Sequence, residues 1–401
     1  MITEIIETSL GKIKCERLGE ILAFRGIRYA TASRFELPVM TSFLGEEYDA
    51  TFFKDACIQD STFGLQRDGL YKKEFPSDNL TYSEDCLNLN IYAPKNAKNC
   101  PVIIMIHGGS FSTGASSKIQ MNSLEYPKRD VIYVSINYRL NIFGFFAKSG
   151  ITKNLGLQDQ LCAIKFIYKY IEEFGGDKNN ITLQGQSAGA MCITSLANSG
   201  CIDNYIKRLI LRSGGGNFPV LFVPRNIKKI EKFYDKTYSK FTNEQLKNMP
   251  AEELFKLWKS KDSSMSFYNC FPVDDGIVSS SKLKFNFETI IGTVKLDMTN
   301  KLLKSTANKY AKNCKKAGVN CYVYEFNRPL PGGEIHHFHS ADEWFFLGSI
   351  DKCWRDFNKE DYQLETEIVE RISNFAKGES PNYGGYKEWK VFSSRKDILK
   401  F

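Results

Sequence analysis

Short apolar runs recur along this chain of 401 residues and constrain its fold more than any other feature. Helical periodicity fills several of the intervals between them, for instance residues 157–175. Buried strands that alternate with helices are typical of a mostly parallel sheet covered by helices, so we predict an α/β fold. The runs with the length of a buried strand are Val102–Ile106, Val131–Ile136, Ile181–Leu183, Leu209–Leu211 and Cys321–Tyr324.

We interpret residues 1–401 as a single domain, because the sequence contains neither an internal repeat nor a low-complexity linker. Hydrophobic residues make up 42% of the chain, which is enough for one large core. The Lys-rich segment from about 217 to 271 has helical patterns, with Pro250 at a predicted helix start. We expect this segment to be a helical insertion, or cap, over the sheet.

The formal charge of +8 is spread along the chain, and no nucleic-acid-binding signature is present. The most apolar run, residues 101–106, is too short to cross a membrane. The first residues lack the basic start and long apolar stretch of a signal peptide, so we expect a cytoplasmic protein unless a signal has been removed. The eleven cysteines form no CxxC pair and predict neither a disulfide scaffold nor a structural zinc site.

The stretch 183-LQGQSAGAM-191 contains a GxSxG pattern, formed by Gly185, Ser187 and Gly189. It follows a predicted strand and precedes a predicted helix, which is the setting of a nucleophilic serine held on a strained turn. Glycine two residues to either side leaves room for that turn. The following helix directs its N-terminus at the serine, so the N–H of Ala188 can stabilise an oxyanion.

A nucleophilic serine needs a base, usually a histidine that a carboxylate holds in place. The chain has only four histidines, namely His107, His336, His337 and His339. His107 opens 107-HGGSF-111 directly after a predicted strand, a position that suits an oxyanion loop. We therefore expect the base within residues 334–340 and the acid between Ser187 and that cluster.

Several longer segments carry a resemblance to one family, among them 24-FRGIRYA-30, 84-EDCLNLNIYAP-94, 137-NYRLNIFGF-145, 174-FGGDKNNITLQGQSAGA-190 and 339-HSADEWFFLG-348. Nearly end to end, the chain resembles the type-B carboxylesterases, which include cholinesterases, para-nitrobenzyl esterases and the non-catalytic neuroligins. The resemblance implies an α/β-hydrolase fold with helical insertions over the active site. It also implies hydrolysis of small or aromatic esters without a metal or an organic cofactor.

The resemblance assigns the nucleophile to Ser187 and the base to His339, rather than to His336 or His337. In the family an acid follows a strand that ends in Gly-Thr, and Asp297 stands at that place in 290-IIGTVKLDMTN-300. Asp297 and His339 are 42 positions apart, whereas family members commonly carry a longer helical excursion between these two residues. We therefore expect a shallower and more open pocket.

The resemblance further places the oxyanion hole at the backbone N–H groups of Gly109, Ser110 and Ala188. Ser110 replaces a glycine, which is tolerated if its φ is negative. Cys57 and Cys86 match two cysteines that form a disulfide in secreted relatives, and in a cytoplasmic protein we expect them reduced. Four aromatic residues are candidates to line an apolar pocket, with a place in the core as the alternative for each: Phe111, Phe145, Trp344 and Phe345.

These observations predict an ester hydrolase that acts on a small-molecule ester through an acyl-enzyme, and they leave its oligomeric state open. One alternative is a cholinesterase-like binding module that keeps the fold without the chemistry. Another is a metal-dependent hydrolase that uses His336, His337 and His339 with Glu334 or Asp342. Three neighbouring histidines on one loop rarely supply a tetrahedral site, which disfavours the metal hypothesis.

Overall fold

The computed structural model describes residues 1–60, 69–77, 79–216, 224–261, 270–297 and 300–401. A twelve-stranded sheet runs through this part of the chain. Its strands are β1 (Ile2–Thr8), β2 (Gly11–Leu18), β3 (Ile21–Arg28), β4 (Glu47–Asp49), β5 (Asn88–Pro94), β6 (Cys100–Ile106), β7 (Ile132–Ile136), β8 (Gly176–Gln186), β9 (Arg208–Arg212), β10 (Glu288–Val294), β11 (Cys321–Phe326) and β12 (Leu399–Lys400).

The strand order is β1-β2-β3-β5-β7-β6-β8-β9-β10-β11-β12, with β4 beside β2. From β7 to β12 all neighbours are parallel, whereas β1, β2, β3, β5 and β7 pair antiparallel in succession. The prediction of a mostly parallel sheet is therefore confirmed. Each of the five predicted strands lies in the parallel part, and most of them extend beyond the predicted bounds.

Helices cover both faces of the sheet. They are α1 (Leu70–Glu74), α2 (Asn141–Phe145), α3 (Leu155–Tyr170), α4 (Ala188–Ser199), α5 (Ile227–Thr237), α6 (Asn243–Asn248), α7 (Ala251–Lys261), α8 (Asn300–Lys316), α9 (Glu343–Phe346) and α10 (Lys359–Lys377). No helix in the described ranges is both long enough and apolar enough to cross a membrane.

Strand β6 illustrates why the central strands are rich in apolar residues. Ile104 packs with one hydrophobic cluster, which includes residues of α3 and α4, and Met105 packs with a second cluster, which includes residues of α10. Successive side chains point to opposite faces of a strand, so a sheet covered on both faces buries every side chain of β6. The core thus consists of two layers, one on each side of the parallel strands.

The predicted insertion, residues 217–271, contains helices α5, α6 and α7 in its described part. Helix α7 begins at Ala251, directly after Pro250 as predicted. The ring of Tyr234 lies 4.8 Å from that of Phe146, so α5 packs against the body of the protein. Residues 217–223 and 262–269 of the predicted insertion lie outside the described residues.

Candidate active site

Ser187 occupies the turn between β8 and α4, at the carboxyl edge of the parallel strands. Its φ of 52° and ψ of −121° form a strained conformation that L-residues seldom adopt, and its N–H donates to the Arg212 carbonyl at 2.8 Å. A Cβ at Gly189 would lie 2.1 Å from the Ile106 carbonyl oxygen, and one at Gly185 would lie 2.6 Å from the Gly189 carbonyl carbon. Both glycines of the GxSxG pattern are therefore required by the close packing of this turn.

Asp297 and His339 come together beside this turn, although they follow different strands. Asp297 lies after β10 and His339 lies on the long connection after β11, and both side chains are buried. His339 Nδ1 donates a hydrogen bond to Asp297 Oδ1. This bond leaves the lone pair of the imidazole on Nε2, which is the arrangement that a general base requires.

The environment of His339 sets its protonation. Burial lowers the pKa of the imidazole, but the charge and hydrogen bond of Asp297, with the charges of Asp342 and Glu343, more than offset this effect. The pKa of His339 therefore lies above its usual value of 6.5. The same carboxylates that raise the pKa also stabilise the imidazolium that forms when the ring accepts a proton.

The Gln186 side chain contacts His339 Nε2, the ring nitrogen that does not bond to Asp297. Gln186 Nε2 lies 3.2 Å from His339 Nε2 and donates to Ser340 Oγ at 2.6 Å. No hydrogen bond joins Ser187 Oγ to His339 in the described residues, although both side chains line the same cavity. Such bonds are often long in unliganded sites and tighten when substrate binds. For Nε2 to accept a proton from another group, the Gln186 amide would have to move away from it.

The loop after β6 carries the predicted oxyanion donors. The Gly109 carbonyl accepts from the N–H groups of Ser112 at 3.0 Å and Thr113 at 2.9 Å, which closes a tight turn. Among the described residues no acceptor pairs with the N–H groups of Gly109, Ser110 or Ala188. Gly109 and Ser110 line the cavity with Ser187, so their free donors lie beside the predicted nucleophile.

Ser110 does not meet the condition under which a serine is readily tolerated at this position. That condition is a negative φ, but the φ of Ser110 is 56° and that of the following Phe111 is 60°. Two successive non-glycine residues in the left-handed region cost energy, which the surrounding packing must supply. The Asn141 N–H, which donates to the Phe111 carbonyl at 2.7 Å, is one contact that holds this loop.

His107 makes two contacts that hold the start of the oxyanion loop in place. Its ring stacks on Tyr138 at 4.5 Å, and its Nδ1 donates to the Gly108 carbonyl at 2.8 Å. Burial is the main cause that lowers the pKa of His107 to about 4, and the nearby charge of Lys118 lowers it further. His107 is therefore neutral at physiological pH, in keeping with its predicted place in an oxyanion loop.

The four predicted aromatic lining residues do not line the cavity. Phe111 packs against Phe145 at 5.2 Å and Phe271 at 4.8 Å, and Phe345 packs against Phe326 at 5.0 Å. Trp344 is buried and donates from Nε1 to Glu74 at 2.9 Å. These residues belong to the core, because aromatic side chains bury the most area where packing surrounds them on all sides.

The wall of the cavity is formed by a different set of residues, which the sequence did not indicate. Helix α1 contributes Tyr71 and Lys72, and the hydroxyl of Tyr71 donates to the His339 carbonyl at 2.9 Å. The segment after the oxyanion loop contributes Lys118 and Met121. Helix α1 has only five residues, 70-LYKKE-74, so it shows no periodicity that could have revealed it.

The remaining histidines and the cysteine pair have other partners. His336 Nδ1 lies 2.8 Å from the Leu330 carbonyl, and the residues that the structure describes contain no group of three or more His, Cys, Asp or Glu able to hold a metal ion. Cys57 and Cys86 are buried free thiols. The hydrogen bond that the Cys86 thiol makes with Cys57, together with burial, raises the pKa of Cys86 well above its usual value.

The model of the carboxylesterase family matches residues 2–299 and 284–401 of this chain. The chain belongs to the carboxylesterase family. The two matches overlap at residues 284–299, which include strand β10 and Asp297.

Two characterised members of the carboxylesterase family illustrate the sequence likeness. The chain is 36% identical to carboxylesterase 5A of Canis lupus familiaris over 211 residues, which cover 50% of this chain and 36% of that protein. It is 35% identical to the para-nitrobenzyl esterase of Bacillus subtilis (strain 168) over 224 residues, covering 53% and 44%. The matches thus span less than half the length of these relatives.

Solved structures show that the fold is the α/β-hydrolase fold of the carboxylesterase family. A PNB esterase superimposes with a TM-score of 0.86 at 23% identity, covering 97% of this chain and 93% of the other. An esterase from the anaerobe Clostridium hathewayi, described as able to hydrolyse aliphatic aromatic polyesters, superimposes with a TM-score of 0.84 at 22% identity, covering 99% and 94%. At these identities the likeness concerns the fold alone.

Proposed function

We propose that this protein hydrolyses carboxylic esters through an acyl-enzyme on Ser187. The observation that carries the proposal is the buried Asp297–His339 pair beside a serine on a strained turn at the start of α4. A serine hydroxyl is a weak nucleophile at neutral pH, and an adjacent histidine oriented by a carboxylate supplies the base that it needs. Membership of the carboxylesterase family supports the same chemistry.

The first half of the reaction forms the acyl-enzyme. Ser187 Oγ attacks the ester carbonyl carbon while His339 Nε2 takes its proton, and Asp297 stabilises the imidazolium. The negative charge that develops on the carbonyl oxygen is bound by the free N–H groups of Gly109, Ser110 and Ala188. The positive end of the α4 dipole lies at the same point and favours this charge. His339 then gives its proton to the departing alcohol.

The second half of the reaction releases the acid. Water enters where the alcohol left, His339 removes one of its protons, and the resulting hydroxide attacks the acyl carbonyl carbon. Collapse of this intermediate breaks the bond to Ser187 Oγ, which recovers its proton from His339. Ser187, His339 and Asp297 return to their starting states.

Hydrolysis of 4-nitrophenyl acetate and butyrate, followed by absorbance, tests the proposal. We expect turnover by the wild type and a loss of about 10⁴- to 10⁶-fold in kcat/KM for His339→Ala, since the serine then lacks its base. His337→Ala is the matched control, because His337 lies on the same connection outside the cavity and should retain full activity. A folded wild type without turnover, or a larger loss in His337→Ala than in His339→Ala, would refute the assignment.

A further inference from the structure

Lys118 introduces a positive charge into the wall of the cavity. It lies directly before a short 3-10 turn, Ile119–Met121, on the segment that continues from the oxyanion loop. It lines the same cavity as Ser187, His339 and the oxyanion donors. The positive charge of its ammonium group acts to lower the pKa of His107 and that of Glu343.

In the described part of the chain, no acidic side chain neutralises the charge of Lys118 by direct contact. In the ranges that the structure describes, no ion pair or side-chain hydrogen bond reaches its ammonium group. Lys118 is partly buried. Its withdrawal from water lowers the pKa of the ammonium group, and the charge of Glu343 raises it by a smaller amount. An ammonium group that is partly withdrawn from water and has no directly bound acid is stabilised by an anion that binds next to it.

Glu343 also lines the cavity, and its charge interacts with that of Lys118. Burial and the neighbouring Asp342 raise the pKa of Glu343, whereas Arg212 and Lys118 lower it. Arg212 is fully buried beneath the cavity and lies 3.8 Å from Asp342. The two acids therefore share the Arg212 guanidinium, and Glu343, with its raised pKa, compensates the ammonium of Lys118 only in part.

A second lysine stands at the mouth of the same cavity. Lys72 on α1 is exposed, lines the cavity and takes part in no ion pair among the described residues. An anion that approaches Ser187 thus passes one free ammonium group and meets another inside. The net charge of +8 acts in the same direction by favouring the approach of anions.

We propose that Lys118 is a specificity residue that binds a carboxylate carried by the substrate, so that the preferred esters are anionic. This inference rests on the proposed ester hydrolysis. The carboxylate can belong to the acyl half, as in a monoester of a dicarboxylic acid, or to the alcohol half, as in an acyl ester of a hydroxybenzoic acid. Both sources offer the same group to the Lys118 ammonium.

Paired substrates that differ only in this charge test the inference. For the acyl side, mono-4-nitrophenyl adipate is compared with 4-nitrophenyl methyl adipate, and for the alcohol side 4-acetoxybenzoate is compared with its methyl ester. We expect the wild type to favour the anionic member of at least one pair by about tenfold or more in kcat/KM. In Lys118→Met that preference should fall by about 10- to 100-fold, the change expected on loss of one charge-assisted hydrogen bond.

Lys128→Met is the matched control, since it removes the same charge from an exposed lysine paired with Glu125 at 2.5 Å. This variant should keep the wild-type preference.

In the wild type, benzoate should inhibit hydrolysis of a neutral ester more strongly than benzamide does, which tests the inference without any substitution. Two results would overturn the role of Lys118 while leaving ester hydrolysis in place. The first is wild-type turnover with no preference for anionic esters and no stronger inhibition by benzoate. The second is an unchanged preference in folded Lys118→Met. Absence of turnover on all four esters would instead refute the proposed function.

Discussion

The floor and the wall of the cavity are built in different ways. The floor comprises Ser187, Asp297, His339 and the oxyanion loop, and each of these follows the carboxyl end of a parallel strand. The wall comprises α1 and the segment Lys118–Met121, which lie outside the sheet. Side chains at strand ends are fixed by the whole core, whereas the wall is held by a few polar contacts. The floor therefore supplies chemistry, and the wall decides which molecules reach it.

Glu74 provides the main attachment of the wall. Its carboxylate is fully buried and accepts from Arg355 Nε at 2.9 Å, Trp344 Nε1 at 2.9 Å and Trp354 Nε1 at 3.1 Å. Arg355 also donates to the Pro331 carbonyl at 2.8 Å, on the connection that leads to His339. This network ties the helix that carries Tyr71 and Lys72 to the loop that carries the base.

The substitution Asp297→Asn acts on the floor and should reduce activity much more than a substitution in the wall. The amide no longer stabilises the imidazolium and permits the wrong tautomer, so kcat/KM should fall by about 10³- to 10⁴-fold. Loss of the negative charge also lowers the pKa of His339. Because the base must be neutral, activity rises with pH through that pKa, and the rising limb should move from above pH 6.5 in the wild type to lower pH in the variant.

A pH–rate profile with 4-nitrophenyl butyrate measures both changes. Asp203→Asn is the control, because it removes a carboxylate from an exposed pair with Lys284 at 3.9 Å and should leave the profile unchanged. An Asp297→Asn variant within tenfold of the wild type, with the same rising limb, would show that Asp297 is not the acid.

The substitution Glu74→Gln acts on the wall and should weaken substrate binding more than it slows the catalytic step. It leaves the Arg355 guanidinium buried without its carboxylate, a loss that typically costs about 3–5 kcal/mol. We expect a lower melting temperature and a rise in KM of several-fold that exceeds the fall in kcat. Glu172→Gln, in an exposed pair with Lys178 at 2.8 Å, is the matched control.

The double variant Glu74→Gln/Arg355→Met separates the two roles of Glu74. Removing both charges should recover part of the melting temperature, because no unpaired ion is then left in the interior. A single variant that lowers kcat as strongly as Asp297→Asn, at unchanged KM, would contradict the division between floor and wall.

The sequence predicted the sheet and the turn at Ser187 because both follow short-range rules, whereas Asp297, the choice of His339 and the donors on the oxyanion loop were assigned through the resemblance to the type-B carboxylesterases. A run such as Val102–Ile106 must be buried on both faces, and Gly185 and Gly189 must leave space around Ser187. With only four histidines in the chain, the choice of a base was already narrow. The catalytic roles themselves stay predictions that the measurements above address.

The wall was not predicted, because its properties arise from tertiary contacts. Lys118 is an isolated lysine in the sequence, and nothing in the neighbouring residues indicates that it is partly buried in the wall of the cavity. Trp344 and Phe345 are aromatic residues of the kind that line apolar pockets. Aromatic residues are equally common in hydrophobic cores, and both side chains lie in the core of this protein. The φ of Ser110 is likewise set by packing around the loop rather than by its own preference.

Trapping of the acyl-enzyme tests the central claim most directly. The wild type and Ser187→Ala are mixed with 4-nitrophenyl butyrate, quenched in acid within one turnover and digested for peptide mass mapping. We predict a butyryl group on the wild-type peptide at Ser187 and no acylation or turnover in Ser187→Ala. A butyryl group on another residue, or turnover that persists in Ser187→Ala, would contradict a mechanism in which Ser187 attacks the ester.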